Sequence, residues 1–250
     1  INGSENTDRY GERLAVIGDI NGDGKNDFLV SEPWAIRQVQ SYPCPAMKGR
    51  VEVRSGANGA LIRAHSGINY HDYLGTGLGT IGDVTGDGVP DYAISAHTTA
   101  YLNVFSGATG VLLYTIPEGT SAIRKFYDYN GDGVVDFLFG YPGHSTPSFG
   151  IGAVKVRSGV DGSVLAQIIG DAQDDFFGGA IDVLNDVNGD GILDFVVGAS
   201  RYRNPQDIPN QKGYVKVISG ATLTPLSKMF GTSGNSYAMY NSDSFGESLS

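Results

Sequence analysis

"GDINGDGKNDFLVSEP" (residues 18–33) decides the fold. It places Asp19, Asn21, Asp23 and Asp27 within nine positions, interrupted by two glycines and followed at once by an apolar run. Read alone, the stretch fits a metal-binding loop or an acidic turn, because Asp-Gly and Asn-Gly favour tight turns without any ion. Repetition separates the two readings. The pattern returns as "GDVTGDGVPDYAISAH" (82–97), "YDYNGDGVVDFLFGYP" (127–142) and "NDVNGDGILDFVVGAS" (185–200). The leading aspartates, Asp19, Asp83, Asp128 and Asp186, stand 64, 45 and 58 residues apart.

The flanking sequence keeps the same phase. Ahead of three loops lie "YGERLAVIGD" (10–19), "LGTGLGTIGD" (74–83) and "FGGAIDVLND" (177–186); the third copy, "SAIRKFYD" (121–128), has lost its glycine. Behind the loops come "GRVEVRSG" (49–56), "AYLNVFSG" (100–107), "GAVKVRSG" (152–159) and "GYVKVISG" (213–220). Read with a period of two, each unit yields four strands: into the loop, out of it, the V-x-V-x-S-G run, and the run after the next turn. Four antiparallel strands repeated in register predict an all-β fold, a β-propeller of four-stranded blades. The blades are expected near 8–70, 71–119, 120–172 and 173–235, with a partial fifth at 236–250. No stretch of ten residues has helical apolar periodicity, so helices are expected to be nearly absent.

The shared loop reads D-x-[N/T]-G-D-G-x-x-D. Calcium takes six to eight oxygen ligands. Positions 1, 3, 5 and 9 offer side-chain oxygens and position 7 offers its backbone carbonyl, while glycines at 4 and 6 let the chain curl. The predicted ligand sets are Asp19, Asn21, Asp23, Lys25 and Asp27; Asp83, Thr85, Asp87, Val89 and Asp91; Asp128, Asn130, Asp132, Val134 and Asp136; and Asp186, Asn188, Asp190, Ile192 and Asp194. An EF-hand would need a glutamate at position 12, where Val30, Ile94, Phe139 and Val197 stand instead. The aspartate at position 9 is therefore expected to complete the shell. Thr85 marks the weakest of the four sites. Packing three carboxylates into each loop gives like charges no relief unless a cation is present. Twelve of the 27 acidic residues fall in these loops, so the net charge of −10 is mostly loop chemistry.

These residues resemble FG-GAP repeats, the blades of the integrin α-subunit propeller and of many secreted bacterial proteins. The resemblance runs over essentially the whole chain, although the Gly-Ala-Pro segment reads Ser31-Glu32-Pro33, Ser95-Ala96-His97, Gly140-Tyr141-Pro142 and Gly198-Ala199-Ser200. It implies calcium loops between the first and second strands of each blade, up to four bound Ca²⁺, and ligands on the opposite face. It also implies an extracellular or cell-surface location.

Unit length varies almost entirely between the second and third strands, where loops on a repeated scaffold carry recognition. Trp34, Arg37 and Tyr42 in the first such loop, and Arg201, Tyr202 and Arg203 in the last, are residue types that concentrate binding energy. They are candidates for contact with a protein or glycan ligand. The acidic balance argues against a nucleic-acid partner, and no apolar run is long enough for a membrane-spanning helix. No G-x-S-x-G, H-E-x-x-H or P-loop pattern occurs. Gly77–Gly82 matches G-x-G-x-x-G formally but runs into an acidic loop rather than a helix. The four histidines and Cys44 are scattered, which leaves no catalytic constellation.

The chain starts at Ile1, as a processed product would. "DRYGERLA" (8–15) and "DSFGESLS" (243–250) share one phase, so the sequence ends inside the first strand of a fifth blade. A fragment of a longer propeller, a small overlapping ring, or a spare strand that pairs with another copy would each account for it. The expected function is a non-enzymatic, calcium-binding adhesion or recognition module. A self-associating subunit of a surface filament and a domain of a secreted hydrolase or lyase are the alternatives.

Overall fold

The computed structural model describes residues 9–35, 47–96, 100–120, 122–200 and 213–231. Sixteen strands form four separate four-stranded antiparallel sheets, and no helix occurs among the described residues. The first sheet holds β1 (Leu14–Gly18), β2 (Asp27–Glu32), β3 (Arg50–Arg54) and β4 (Leu61–Ser66) in sequential order. The second holds β5 (Leu74–Gly82), β6 (Asp91–Ala96), β7 (Tyr101–Phe105) and β8 (Leu112–Ile116). The third holds β9 (Ile123–Lys125), β10 (Phe137–Tyr141), β11 (Ala153–Arg157) and β12 (Val164–Ile169). The fourth holds β13 (Ala180–Val183), β14 (Phe195–Ala199), β15 (Tyr214–Ile218) and β16 (Pro225–Phe230). The architecture is the all-β propeller blade, made four times.

The strands read from sequence are present in order, and their burial explains their composition. Middle strands are covered on both faces: every residue of β6 and β11 is buried. Burial on both faces does not make them apolar throughout: β11 keeps the Val-x-Val alternation, with Lys155 and Arg157 buried beside the rings of Tyr141 and Phe139. Outer strands β4, β8, β12 and β16 are largely exposed. The position-12 residues Val30, Ile94, Phe139 and Val197 all sit buried in second strands. The third strand of every sheet breaks register against the fourth at its last step, between Val53 and Arg54, Val104 and Phe105, Val156 and Arg157, and Val217 and Ile218. That bulge turns the chain into the Ser-Gly hairpin.

The chain divides into two compact units, Ile1–Ile123 with Gly159–Gly162, and Arg124–Ser158 with Ser163–Ser250. In the first, Leu29, Val51 and Val53 of one sheet pack with Tyr92, Ile94 and Phe105 of the next in one core. His65 belongs to this core, its ring 4.0 Å from Phe105 and its Nε2 2.8 Å from the Tyr92 hydroxyl. The formal G-x-G-x-x-G lies wholly within β5. Gly77 and Gly79 leave room for neighbouring backbone, since a Cβ on either would fall within 2.7 Å of the carbonyl of Thr120 or Ile123. The dinucleotide match is thus a packing device. In the second unit, Gly140 of β10 lies against the Gly178 carbonyl and the Ile181 side chain in the same way. The missing glycine of the third copy coincides with the shortest strand, β9.

Arg37, Tyr42, Arg201, Tyr202, Arg203 and the spare-strand segment 243–250 lie outside the described residues. No helix is long and apolar enough to cross a membrane among those described.

Candidate metal centres

Each acidic loop joins the first strand of a sheet to the second, and the same atoms bond in the same way four times. In the first, Asp19 Oδ1 accepts the backbone N–H groups of Gly22 and Asp23 at 2.8 and 3.2 Å, and Oδ2 accepts that of Gly24 at 2.7 Å. Asp83, Asp128 and Asp186 hold the glycines at positions 4 and 6 of their own loops at 2.7–2.8 Å. The loop is wound around its first carboxylate. Gly22 and Gly24 take φ of 76° and 80°, and their counterparts fall between 73° and 89°. A side chain there would strain the backbone.

Position 5 continues the winding: Asp23 Oδ1 accepts the N–H of Lys25 at 2.9 Å. At position 3, the Oδ1 atoms of Asn21, Asn130 and Asn188 accept the N–H of position 5 at 2.9–3.0 Å. Thr85 departs from this pattern. Its hydroxyl donates to Asp83 Oδ1 at 3.3 Å, so one oxygen of that loop is engaged differently.

Position 9 is unlike the others because it is fully buried. Asp27, Asp91, Asp136 and Asp194 are each 0% exposed. Asp27 Oδ2 accepts the N–H of Ile20 and Oδ1 accepts that of Gly56, both at 3.0 Å. Asp91 bonds Val84 and Gly107, and Asp194 bonds Val187 and Gly220, at 2.8–3.0 Å. The carboxylate therefore rivets the loop to the hairpin turn between the third and fourth strands. The turn explains the invariant Ser-Gly of the repeat. A Cβ on Gly56, Gly107 or Gly220 would lie 1.8–1.9 Å from the carbonyl of Asn26, Pro90 or Leu193. The preceding serine reaches back: Ser55 Oγ donates to Asp23 Oδ2 at 3.1 Å and Ser219 Oγ lies 3.5 Å from Asp190 Oδ2. Sequence reasoning used Ser-Gly only as a strand marker; its four-fold recurrence in phase with the loops was the available signal.

Backbone N–H bonds set the loop electrostatics. At Asp19 the bond from Gly24 is the largest influence and holds the carboxyl below the ordinary range; at Asp186 the bond from Gly191 does the same. At Asp83 desolvation pulls upward most strongly, but bonds from Gly88, Gly86 and Asp87 together outweigh it. Desolvation wins at the buried Asp91, whose carboxyl is raised.

Among the described residues, no three His, Cys, Asp or Glu side chains are gathered as a ready metal centre. The three carboxylates of each loop are not drawn together as such a group; with the amide or hydroxyl oxygen of position 3 and the main-chain carbonyl of position 7 they make an all-oxygen donor set. An all-oxygen set of that composition fits a hard cation with flexible coordination, and lacks the nitrogen and sulfur that zinc or copper prefer.

At the opposite end of the first sheet, Trp34 follows β2. Its ring stands edge-on to Tyr73 at 5.5 Å, with the Arg9 guanidinium 4.3 Å from its centre. Tyr73 precedes β5 in the D-x-φ-G turn (φ denoting a large apolar residue), whose aspartate the sequence reading passed over. Asp72 Oδ2 accepts the N–H groups of Ile68 and Asn69 at 2.8 Å and the Tyr101 hydroxyl at 3.0 Å. Asp175 repeats this with Asp171, Ala172 and the Tyr214 hydroxyl at 2.8–2.9 Å. Burial pushes the Asp175 carboxyl up to about 6. The signal was present in "HDYLG" and "DDFFG".

The family described as FG-GAP repeat matches residues 10–42 and 177–218. Integrin alpha-PS2 of Drosophila melanogaster is 29% identical over 225 residues, 90% of this chain and 12% of that protein. Integrin alpha-2 of Mus musculus is 31% identical over 59% of this chain and 14% of its own length. Integrin alpha pat-2 of Caenorhabditis elegans is 28% identical over 52% of this chain and 11% of its own length. The chain thus spans about an eighth of the subunits it matches. A solved structure described as the Dos1 propeller aligns with a TM-score of 0.42 and 14% identity, covering 73% of this chain and 42% of that one. Residues 10–42 and 177–218 thus match FG-GAP repeats, and the four blade-like sheets together with the similarity to integrin α subunits support an integrin-α-like β-propeller.

Proposed function

We propose that the chain is an extracellular recognition module whose blades are stiffened by calcium and whose ligand, a protein or a glycan, is met at the end of the blades away from the loops. The recurring loop geometry carries this reading: four copies wind backbone N–H groups around the position-1 carboxylate, and three of them present the same oxygen set, with the Thr85 hydroxyl replacing an amide oxygen in the fourth. The ligands are positions 1, 3, 5, 7 and 9 of each loop, from Asp19 to Asp27 in the first and their counterparts in the others. Bound calcium would supply positive charge among three carboxylates that otherwise repel. The chain's own part is to wind backbone N–H groups around position 1, to curl at two glycines, and to fasten the loop to the Ser-Gly turn through Asp27, Asp91 and Asp194. The similarity to integrin α subunits favours adhesion over catalysis. Trp34 is the described member of the candidate ligand surface; Arg37, Tyr42 and Arg201–Arg203 complete the proposal from sequence.

The test combines stability with binding. With free calcium at about a hundred times its dissociation constant, each occupied loop adds about 2.7 kcal/mol. The melting temperature should fall by well over 5 °C when EDTA replaces calcium, at roughly 2–4 °C per kcal/mol for a chain of this size. Arrays of glycans and extracellular-matrix proteins should show a specific binder in calcium that Trp34→Ala weakens. An unchanged melting temperature would refute the metal, and no binder in calcium would refute the recognition role.

A further inference from the structure

Three of the four loops carry an Asn-Gly pair at positions 3 and 4: Asn21-Gly22, Asn130-Gly131 and Asn188-Gly189. The second has Thr85-Gly86, and two further pairs stand outside the loops, Asn2-Gly3 near the start of the sequence and Asn58-Gly59 in the hairpin after β3. Asn-Gly is the dipeptide in which a side-chain amide reacts most readily with its own backbone, because glycine puts no Cβ in the path. The glycine nitrogen loses its proton and attacks the asparagine Cγ. A C–N bond forms, the bond to the side-chain nitrogen breaks, and that nitrogen leaves as ammonia, giving a succinimide. Water then opens the ring at either carbonyl, leaving aspartate or isoaspartate. The net change is one water in and one ammonia out.

All six residues of the three loop pairs are exposed, so water reaches them. The folded loop nevertheless restrains both reacting groups. The N–H groups of Gly22, Gly131 and Gly189 donate to Asp19, Asp128 and Asp186 at 2.7–2.8 Å. A carboxylate at that hydrogen opposes loss of the proton. The amide is pinned as well, its Oδ1 accepting the N–H of position 5 in each loop. In Asn130 and Asn188 the amide nitrogen, which is the leaving group, also donates to the position-5 carboxylate at 2.8 and 2.9 Å.

We propose that Asn21, Asn130 and Asn188 are latent modification sites, held unreactive by the closed loop and converted to aspartate or isoaspartate when the loop opens on losing its metal. The proposal rests on the calcium reading above. Isoaspartate lengthens the backbone between positions 3 and 4 by one carbon. That displaces the glycine N–H groups from the position-1 carboxylate, so a converted loop does not rewind. Asn58 supplies the control. Its Gly59 N–H donates to the Ser55 carbonyl and its Oδ1 accepts the Ala60 N–H, both at 2.8 Å, in a hairpin outside the loop.

The experiment incubates the full chain in mildly alkaline buffer with calcium, with EGTA, and with urea as a reactivity standard. Peptide mapping then follows the one-mass-unit gain and the isoaspartate content at each asparagine. Conversion at Asn21, Asn130 and Asn188 should be about tenfold or more faster in EGTA than in calcium, as expected for chemistry gated by local opening. Asn58 should convert equally in both. Equal rates at the three loop sites in calcium and EGTA, fast or slow, would overturn the proposal. Melting temperatures of the same samples separate the causes: equal rates with a calcium shift sink the latent sites alone, and equal rates without one sink the calcium reading too.

Discussion

Two kinds of glycine meet within nineteen residues of the second blade and make different demands. Gly88 needs a positive φ of 86° and has nothing within 4 Å of where a Cβ would sit. Gly107 has ordinary φ, but its Cβ would fall 1.9 Å from the Pro90 carbonyl, backbone that cannot swing aside. Gly88→Ala should cost about 1–2 kcal/mol of left-handed strain. Gly107→Ala must part the hairpin from the loop and break the 2.8 Å bond from Gly107 to Asp91, a loss on the order of 3–4 kcal/mol. Denaturant unfolding of both variants checks the order; equal losses would show that the close approach is not what selects glycine. Only the first demand was legible in the sequence. Asp-Gly announces a turn by its own chemistry, whereas Gly107 is constrained by a carbonyl seventeen positions away.

At the scale of the strand and its connections, local pattern carried most of the information. Period-two alternation, turn dipeptides and the Ser-Gly marker located the strands, because each depends on neighbours a few residues apart. The clasp between the D-x-φ-G turn and the third strand did not declare itself. Asp72 and Tyr101 are separated by 29 positions and Asp175 and Tyr214 by 39. Nor did the sequence distinguish the position-9 aspartate from the other carboxylates, although it alone is buried in every copy. The clasp has a pH signature. Burial is the main cause of the raised Asp175 carboxyl, about 6 against about 3.9 in an unfolded chain. Between those values the folded state keeps a proton the unfolded state has lost. Asp175 therefore favours folding most in acid, loses that contribution as pH rises from about 4 to 6, and is level above. Asp175→Asn should flatten this slope, narrowing the difference across the window by about 2–3 kcal/mol. Thermal melts of both proteins at fixed saturating calcium measure it; identical slopes would refute the assignment.

Over the whole chain, the formal charge of −10 is concentrated where the loops are. Four calcium ions would bring it to about −2, which screens self-repulsion as well as closing the loops. Electrophoretic mobility toward the anode should drop several-fold in calcium relative to EDTA, by native electrophoresis or electrophoretic light scattering. Unchanged mobility would mean the acidity is ordinary surface charge. The same position-9 carboxylates have a mechanical consequence. Because Asp27, Asp91 and Asp194 each grip both the loop between the first two strands and the turn between the last two, all four strands of those three blades are tied together at one end. A strand peeled from the far end therefore comes away only as far as this tie. Complete separation must also break the bonds between loop and turn, so the tied end is the last part of such a blade to come apart.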